Sequence, residues 1–279
     1  MFRPYAADMA PKLTIGFLGA GKMASALAGG FLRAKLIAPE NLIAGDPVEP
    51  ARAAFASATG ARVTAGNPEV VQATSVVFLA VKPDQTAAVL AEIRDHFTPK
   101  HLLISIAAGV SLARLEAALG EGARVTRVMP NTPALVGSSA SAFATGKAAS
   151  PEDADLTARL LSAVGMACQV KEPLLDAVTG LSGSGPAYVY QFIEALSDGG
   201  VAMGLPREIA TRLAAQTVIG AGRMVLETGL HPGVLKDQVT SPGGTTIEAI
   251  HALEKGGLRG TVMDAVRASA EKAKKLGQG

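Results

Sequence analysis

The pattern of hydrophobic and polar positions divides the chain into two regions. From Lys12 to about Lys171, short β-branched runs alternate with Ala-rich stretches of helical spacing. The predicted strands are Leu13–Leu18, Asn41–Gly45, Ala61–Val63, Val76–Val81, Leu102–Ile106 and Arg124–Met129, with Ser141–Ala144 and Met166–Val170 as extensions of the sheet. The predicted helices between them are Met23–Ala34, Pro50–Ala58, Gln85–Arg94 and Leu112–Leu119. This alternation is typical of βαβ units and a parallel sheet.

After about Pro173 the strand pattern ends and long helical patterns follow. The predicted helices are Pro186–Met203, Pro206–Leu226, Pro232–Thr240, Thr246–Glu254 and Leu258–Lys275. The second of these is apolar around much of its circumference, which is typical of a buried helix, and we expect part of it to meet a second subunit. We therefore predict a flexible extension over residues 1–11, an α/β domain over 12–172 and an all-helical domain over 173–279.

Composition and charge exclude several classes of protein. The 279 residues are 48% hydrophobic, which argues against a disordered chain. The 26 basic and 24 acidic residues nearly balance, and aromatic residues are only 4%, so nucleic-acid binding has little support. The polar N-terminus does not resemble a signal peptide, and the apolar stretches are too short to span a membrane. The single cysteine, Cys168, excludes an internal disulfide framework, suits a cytoplasmic location, and is expected to be buried.

A glycine-rich turn follows the first predicted strand. Gly19, Gly21 and Ala24 form the pattern G-x-G-x-x-A and lead directly into a helix. In dinucleotide-binding folds the first glycine makes the tight turn, the second lets the backbone approach a pyrophosphate, and the helix N-terminus attracts its charge. An ordinary βα turn is the alternative, but the surrounding βαβ pattern favours dinucleotide binding. Lys22 either assists the phosphates or is a solvated residue of the first helical turn.

The end of the second predicted strand bears on the choice of cofactor. Asp46 is in the region where an acidic residue holds the ribose hydroxyls and disfavours a 2′-phosphate, although Pro47 and Pro50 suggest a turn that aims it outward. Arg52 could meet a 2′-phosphate or could be an ordinary surface residue. The residues leave NAD and NADP both open.

Three further strand ends favour a nicotinamide pocket. They are Ala80–Pro83, Ser105–Gly109 and Met129–Pro133. In doubly wound sheets ligands bind beyond the carboxyl ends of the strands, and these segments would face the same crevice.

Two glycine-rich turns precede helices in the second region. In Ser241–Glu248, Thr245 and Glu248 fit a capping box, but the same turn offers hydroxyls and free N–H groups for a carboxylate. Leu181–Pro186 repeats the arrangement. Spacing alone leaves both interpretations open.

No residue pattern indicates metal or nucleophilic catalysis. The four histidines are scattered, and neither a G-x-S-x-G, a Walker nor a zinc motif is present. Hydride transfer suits such a site, because the cofactor carries the difficult chemistry.

The sequence resembles the pyrroline-5-carboxylate reductases, enzymes of proline biosynthesis, from Leu13 to the C-terminus. The motifs that carry the resemblance are IGFLGAGKMA, FLAVKP, SIAAGV, MPNTPALVG, GLSGSGPAYVY and HPGVLKDQVTSPGGTTIEAIHALE, of which the last is the most specific. The resemblance implies a Rossmann-like doubly wound sheet followed by an all-helical dimerisation domain whose helices interleave with those of a second copy. It implies a cyclic imino acid substrate and NADPH, or NADH, as cofactor.

The resemblance also implies the residues of the site. The substrate would be bound by Ser241, Gly243, Gly244, Thr245 and Thr246, with the Thr246 hydroxyl on the ring nitrogen as the catalytic group. The cofactor would be bound by Gly19, Ala20, Gly21, Lys22, Met23, Asp46, Asn67, Ala80, Val81, Lys82, Pro83, Ala107, Met129 and Asn131. Asp46 departs from the hydroxyl or basic residues often found at its position, which argues against a strict NADPH preference.

Two other functions remain as alternatives. A hydroxyacid dehydrogenase of the 6-phosphogluconate-like superfamily would share the glycine turn and use a catalytic lysine, for which Lys236 is the best candidate. A non-enzymatic dinucleotide-binding regulator would be indicated by decay of the segment 241–246, which is intact here.

Overall fold

The computed structural model describes residues 13–278, so the predicted extension over residues 1–11 lies outside the described part of the chain. The chain divides into two compact units. The first comprises residues 13–183 together with 270–278, and the second runs from Ser184 to Ser269.

An eight-stranded sheet forms the centre of the first unit. Its strands are β1 (Ile15–Leu18), β2 (Leu42–Gly45), β3 (Arg62–Thr64), β4 (Val76–Leu79), β5 (Leu102–Ser105), β6 (Arg124–Met129), β7 (Ser139–Thr145) and β8 (Gly165–Gln169). The order across the sheet is β3-β2-β1-β4-β5-β6-β7-β8. Neighbouring strands are parallel except β6 and β7, which pair antiparallel. The predicted Rossmann-like, doubly wound sheet is confirmed.

The central strands are buried on both faces. Every residue of β1, β2, β4 and β5 is buried, as expected for parallel strands that helices cover on both sides. Phe17 lies in the middle of one face, with its ring centroid 5.0 Å from that of Phe78 and 5.7 Å from that of Phe55. These rings fix the position of β1, and with it the turn that follows.

Seven α-helices of the first unit surround the sheet. They are α1 (Lys22–Arg33), α2 (Glu49–Thr59), α3 (Asn67–Ala73), α4 (Thr86–Ile93), α5 (Leu112–Leu119), α6 (Pro151–Ser162) and α7 (Leu175–Val178). The pattern of hydrophobic positions did not predict α3, α6 or α7. A signal for α6 exists, because Ser150 and Asp153 form a reciprocal capping box at its start.

The segment after β8 belongs to the first unit. Arg127 on β6 is 11% exposed and binds Glu172 at 3.1 Å and Asp176 at 3.7 Å. Glu172 also accepts a hydrogen bond of 2.7 Å from the backbone N–H of Leu112. These contacts hold the segment to the sheet, and the first compact unit runs on to Gly183.

The expectation that Cys168 is buried is wrong. Cys168 lies in β8, which is at the edge of the sheet, and its side chain is exposed. An edge strand has a neighbour on one side only, so an apolar run there does not imply burial.

The second unit is helical. Its helices are α8 (Gly185–Ala202), α9 (Arg207–Thr228), α10 (Pro232–Gln238), α11 (Thr245–Lys255) and the first part of α12 (Leu258–Gln278), whose last turns belong to the first unit. In residues 184–269 the buried side chains are only Ser197, Ala210 and Ala214, whereas Leu226 on α9 is 73% exposed. The apolar face that the sequence predicted on α9 is therefore not covered within the chain. None of the helices over residues 13–278 is both long and apolar enough to cross a bilayer.

Candidate active site

The turn between β1 and α1 has a backbone conformation that favours glycine. Gly19 has φ +97°, and a Cβ added there would lie 2.8 Å from the carbonyl oxygen of Ala80. The Gly19 N–H donates to the carbonyl of Gly45 at 2.7 Å. The turn thus lies against the carboxyl ends of both neighbouring strands, β2 and β4.

The residue at the start of α1 leaves room for a ligand. Gly21 is the N-cap of α1, and a Cβ added to it would meet nothing within 4 Å. No side chain caps α1, and its first turn carries no acidic residue. Lys22, the first residue of the helix, is exposed. The residues present therefore fit a dinucleotide, because the free N–H groups of a helix N-terminus and an open backbone are what a pyrophosphate requires.

Asp46 is turned back toward this glycine turn. Its carboxylate accepts hydrogen bonds of 2.9 Å from the backbone N–H groups of Ala20 and Val48. The expectation that the neighbouring prolines aim this carboxylate outward is wrong. The hydrogen bond from the Ala20 N–H holds the carboxylate against the glycine turn. Arg52 donates to the Asp46 carbonyl at 2.6 Å, which places its guanidinium at the same strand end.

A crevice of about 240 Å³ opens beside the strand ends. Its walls are formed by Met23, Ala80, Val81, Lys82, Ile106, Ala108, Met129 and Pro130. Five of these residues are among the predicted cofactor contacts, whereas Ile106, Ala108 and Pro130 were named only as parts of strand-end segments. Pro83 is exposed and outside the crevice, and the Ala107 side chain is buried in the core and does not line it. The crevice is mainly apolar, with Lys82 as its charged residue.

Asn131 binds to its own surroundings rather than lining this crevice. Its side-chain oxygen accepts hydrogen bonds of 3.0 Å from the Ser139 hydroxyl and the Ala140 N–H, and its Nδ2 donates to the Ser182 carbonyl at 3.0 Å. These bonds link β7 to the π-helical turn Thr179–Gly183, and the expected contact of Asn131 with the cofactor stays a prediction.

Asn67 is the first residue of α3 and is 7% exposed. It lies beside the end of β2, where its Oδ1 is 3.1 Å from the position that a Cβ on Gly45 would occupy. Asp46 follows Gly45 in the chain, so Asn67 and Asp46, both expected contacts of the cofactor, lie at the same strand end.

The segment 241–246 forms a tight turn at the start of α11 in the second unit. Gly243 has φ +63°, and the Gly244 N–H donates to the Ser241 carbonyl at 3.0 Å. Gly244 is the N-cap and has no side-chain partner, so the predicted capping box of Thr245 and Glu248 is wrong. Thr245 is instead the first residue of the helix, because the glycine turn starts the helix one residue earlier. Hydroxyls and uncapped N–H groups are therefore available to a carboxylate.

Other polar residues that the sequence singled out have structural contacts. Lys236 is an exposed side chain paired with Asp237 at 3.1 Å. His231 caps α10 by accepting from the Gly233 N–H at 3.0 Å. Over residues 13–278 no three His, Cys, Asp or Glu side chains are grouped as metal ligands.

Comparison with known proteins identifies the family. The model for "Pyrroline-5-carboxylate reductase dimerisation" matches residues 172–276, and the model for "NADP oxidoreductase coenzyme F420-dependent" matches residues 14–109. The pyrroline-5-carboxylate reductase of Methanosarcina acetivorans is 51% identical over 95% of this chain and 98% of its own length. The chain belongs to the pyrroline-5-carboxylate reductase family. The Pisum sativum reductase is 48% identical over 94% of this chain and 96% of its own.

Solved structures of the reductase family have the same fold. The pyrroline-5-carboxylate reductase of Coxiella burnetii matches with a TM-score of 0.89 at 35% identity, covering 95% of this chain and 98% of that one. The Plasmodium falciparum enzyme, solved with NADP bound, matches with a TM-score of 0.85 at 37% identity, covering 95% and 98% of the two chains.

Proposed function

We propose that this protein reduces L-1-pyrroline-5-carboxylate to L-proline, the last step of proline biosynthesis, by hydride transfer from NADPH or NADH. The observation that carries the proposal is 51% identity, over nearly the full length of both chains, to a relative named for this activity. The named relatives include plant, archaeal and animal proteins at 43–51% identity.

The cofactor half of the site is the first unit. The uncapped start of α1, beside Gly21, would bind the pyrophosphate, with Lys22 adding positive charge. Asp46 and Asn67 would contact the adenosine ribose at the end of β2. The apolar crevice would hold the nicotinamide ring against Val81 and Met129.

The substrate half is the segment 241–246. The substrate carboxylate would accept hydrogen bonds from the Ser241 and Thr245 hydroxyls and from the N–H groups at the start of α11, which Gly243 and Gly244 expose. Thr246 would form a hydrogen bond with the ring nitrogen of the substrate and so fix which face of that ring is turned toward the nicotinamide.

The reaction needs little acid–base apparatus from the chain. The reduced nicotinamide supplies a hydride when bound. A substrate imine that arrives protonated takes that hydride at carbon, and the C=N electron pair stays on nitrogen to give the amine of proline. Thr246 would then orient the nitrogen, and proton donation from its hydroxyl is not required when the imine is already protonated. Most of the rate enhancement would come from orientation, which can contribute several kcal/mol.

We further propose that the enzyme is a cytoplasmic homodimer with interleaved C-terminal helices. The match of residues 172–276 to a dimerisation model supports the dimer, as does the apolar surface that α9 exposes within one chain. A single cysteine is compatible with a reducing compartment.

The test is the oxidation of NADPH and of NADH by purified protein after addition of L-1-pyrroline-5-carboxylate, with proline measured as the product. We expect oxidation in stoichiometric proportion to the proline formed. Binding of both cofactors without oxidation would refute the proposed substrate. The hydroxyacid dehydrogenase alternative would then be tested with 2-hydroxyacids, and the regulator alternative by cofactor titration alone.

A further inference from the structure

One carboxylate holds the side-chain amide of Asn67. The Asn67 Nδ2 donates to Oε2 of Glu92 at 2.8 Å, and the backbone N–H of Asn67 donates to Oε1 of the same group at 3.3 Å. Glu92 lies on α4, one helix away along the chain from α3, which Asn67 begins. Both oxygens of the Glu92 carboxylate therefore accept hydrogen bonds from Asn67. Together these two bonds fix the position and the orientation of the Asn67 side chain.

The chemistry of the pair decides which way the amide faces. An ionised carboxylate only accepts hydrogen bonds, so the NH₂ group of Asn67 has to face Glu92 and its carbonyl oxygen has to face away. That oxygen points to Gly45, the last residue of β2. No residue over 13–278 donates a hydrogen bond to that oxygen, and it keeps some access to solvent. It is an acceptor without a protein donor at the expected ribose position.

The strand end thus presents two hydrogen-bond acceptors. They are Oδ1 of Asn67 and the carboxylate of Asp46, which the N–H groups of Ala20 and Val48 hold in place. Acceptors of this kind suit the 2′-hydroxyl of NAD(H), which donates, and not the 2′-phosphate of NADP(H), whose oxygens accept. Arg52, held at the same strand end, is the cation that favours the phosphate.

We propose that Glu92 is a positioning residue that fixes the Asn67 amide as an acceptor and so lowers affinity for a 2′-phosphate relative to a 2′-hydroxyl. The inference rests on the proposed dinucleotide-binding function and deepens it. Discrimination between NAD(H) and NADP(H) then depends in part on Glu92, which acts through its hydrogen bonds to Asn67.

The test is Glu92→Gln, measured by calorimetric titration with NADP⁺ and with NAD⁺ in the absence of substrate. Glutamine has the size of glutamate but can present either a donor or an acceptor, so Asn67 can turn and donate to a phosphate. We expect the ratio of Kd(NAD⁺) to Kd(NADP⁺) to rise about tenfold, as expected for a hydrogen bond to a charged group. A ratio unchanged within the error of the titration would overturn the proposal.

Two further variants separate orientation from charge. Glu69→Gln removes a carboxylate from the first turn of the same α3, where Glu69 accepts from the Thr64 hydroxyl and not from Asn67. This variant should leave the ratio close to that of the wild type, and an equal shift would assign the effect to charge alone. In an Asn67→Ala background, Glu92→Gln should no longer change the ratio, and a persistent change would also refute the proposal. If the wild type binds neither nucleotide, the proposed function fails together with this inference.

Discussion

The backbone N–H of Ala20 donates a 2.9 Å hydrogen bond to the carboxylate of Asp46, which joins the glycine turn to the end of the neighbouring strand. In the proposed cofactor site Asp46 would therefore have two roles. It holds the turn proposed to receive the pyrophosphate, and it would place a negative charge beside a 2′-phosphate.

Replacement of Asp46 should change the choice of cofactor. In Asp46→Ser the charge is lost and a small hydroxyl remains, so we expect kcat/KM with NADPH to rise about tenfold relative to that with NADH. Steady-state kinetics with both cofactors measure this ratio. Asp95→Ser, which removes an exposed carboxylate elsewhere in the first unit, is the control. A ratio that moves equally in both variants would contradict a specific role for Asp46.

The two glycines of the turn should respond differently to alanine. Gly21→Ala adds a methyl group that touches no protein atom within 4 Å, so the melting temperature should change little while Kd for NADP⁺ rises more than tenfold. Gly19→Ala forces a side chain at φ +97° against the Ala80 carbonyl and should destabilise the fold by about 2 kcal/mol. Thermal unfolding and nucleotide titration of both variants provide the comparison. Unimpaired binding by Gly21→Ala would show that the phosphate does not approach this residue.

Thr246 should affect turnover and not cofactor binding. Thr246→Ala removes the hydroxyl proposed to orient the ring nitrogen, and we expect kcat to fall about ten- to a hundredfold with an unchanged Kd for NADP⁺. Thr261→Ala on α12, an exposed threonine, is the matched control. Loss of turnover and of cofactor affinity in equal measure would argue against the assigned role, and so would no loss at all.

The stability of the first unit should decrease in mild acid. Partial burial lowers the pKa of His101, and the charge of Arg124 acts in the same direction. In the unfolded chain His101 is protonated near pH 6.5, whereas in the folded protein it takes up its proton only at lower pH. Acidification below about pH 6.5 therefore favours unfolding. His101→Gln should reduce the fall in Tm between about pH 7.5 and about pH 5.5, whereas His251→Gln, an exposed histidine, should not. Parallel slopes for all three proteins would contradict this assignment.

The order of strands and helices could be predicted because apolar runs and their turn residues are local signals. Each predicted strand is present, and the helices of the second unit begin within a few residues of the prolines and glycines that mark them. The short helix α3 was missed because its seven residues carry too few apolar positions to define a period.

The parts of the site that could not be predicted depend on contacts between distant residues. Glu92 has no motif of its own and is recognised only from its bond to Asn67, 25 positions away. Asn131 lies in a strand-end segment that the sequence assigns to the crevice. Its side-chain amide is instead hydrogen-bonded to Ser139 and Ser182. The capping box predicted for Thr245 failed because α11 begins one residue earlier than expected. The geometry of the preceding turn decides the first residue of a helix, and sequence patterns do not resolve it to a single position.

The sparse burial within residues 184–269 has a consequence for folding. Only one serine and two alanine side chains are fully buried there, so within a single chain this unit has hardly any hydrophobic core of its own. Folding of this unit would then be bimolecular, with association supplying the missing free energy. The unfolding temperature should accordingly rise with the amount of protein in the sample, and strong dilution should melt these helices before the sheet.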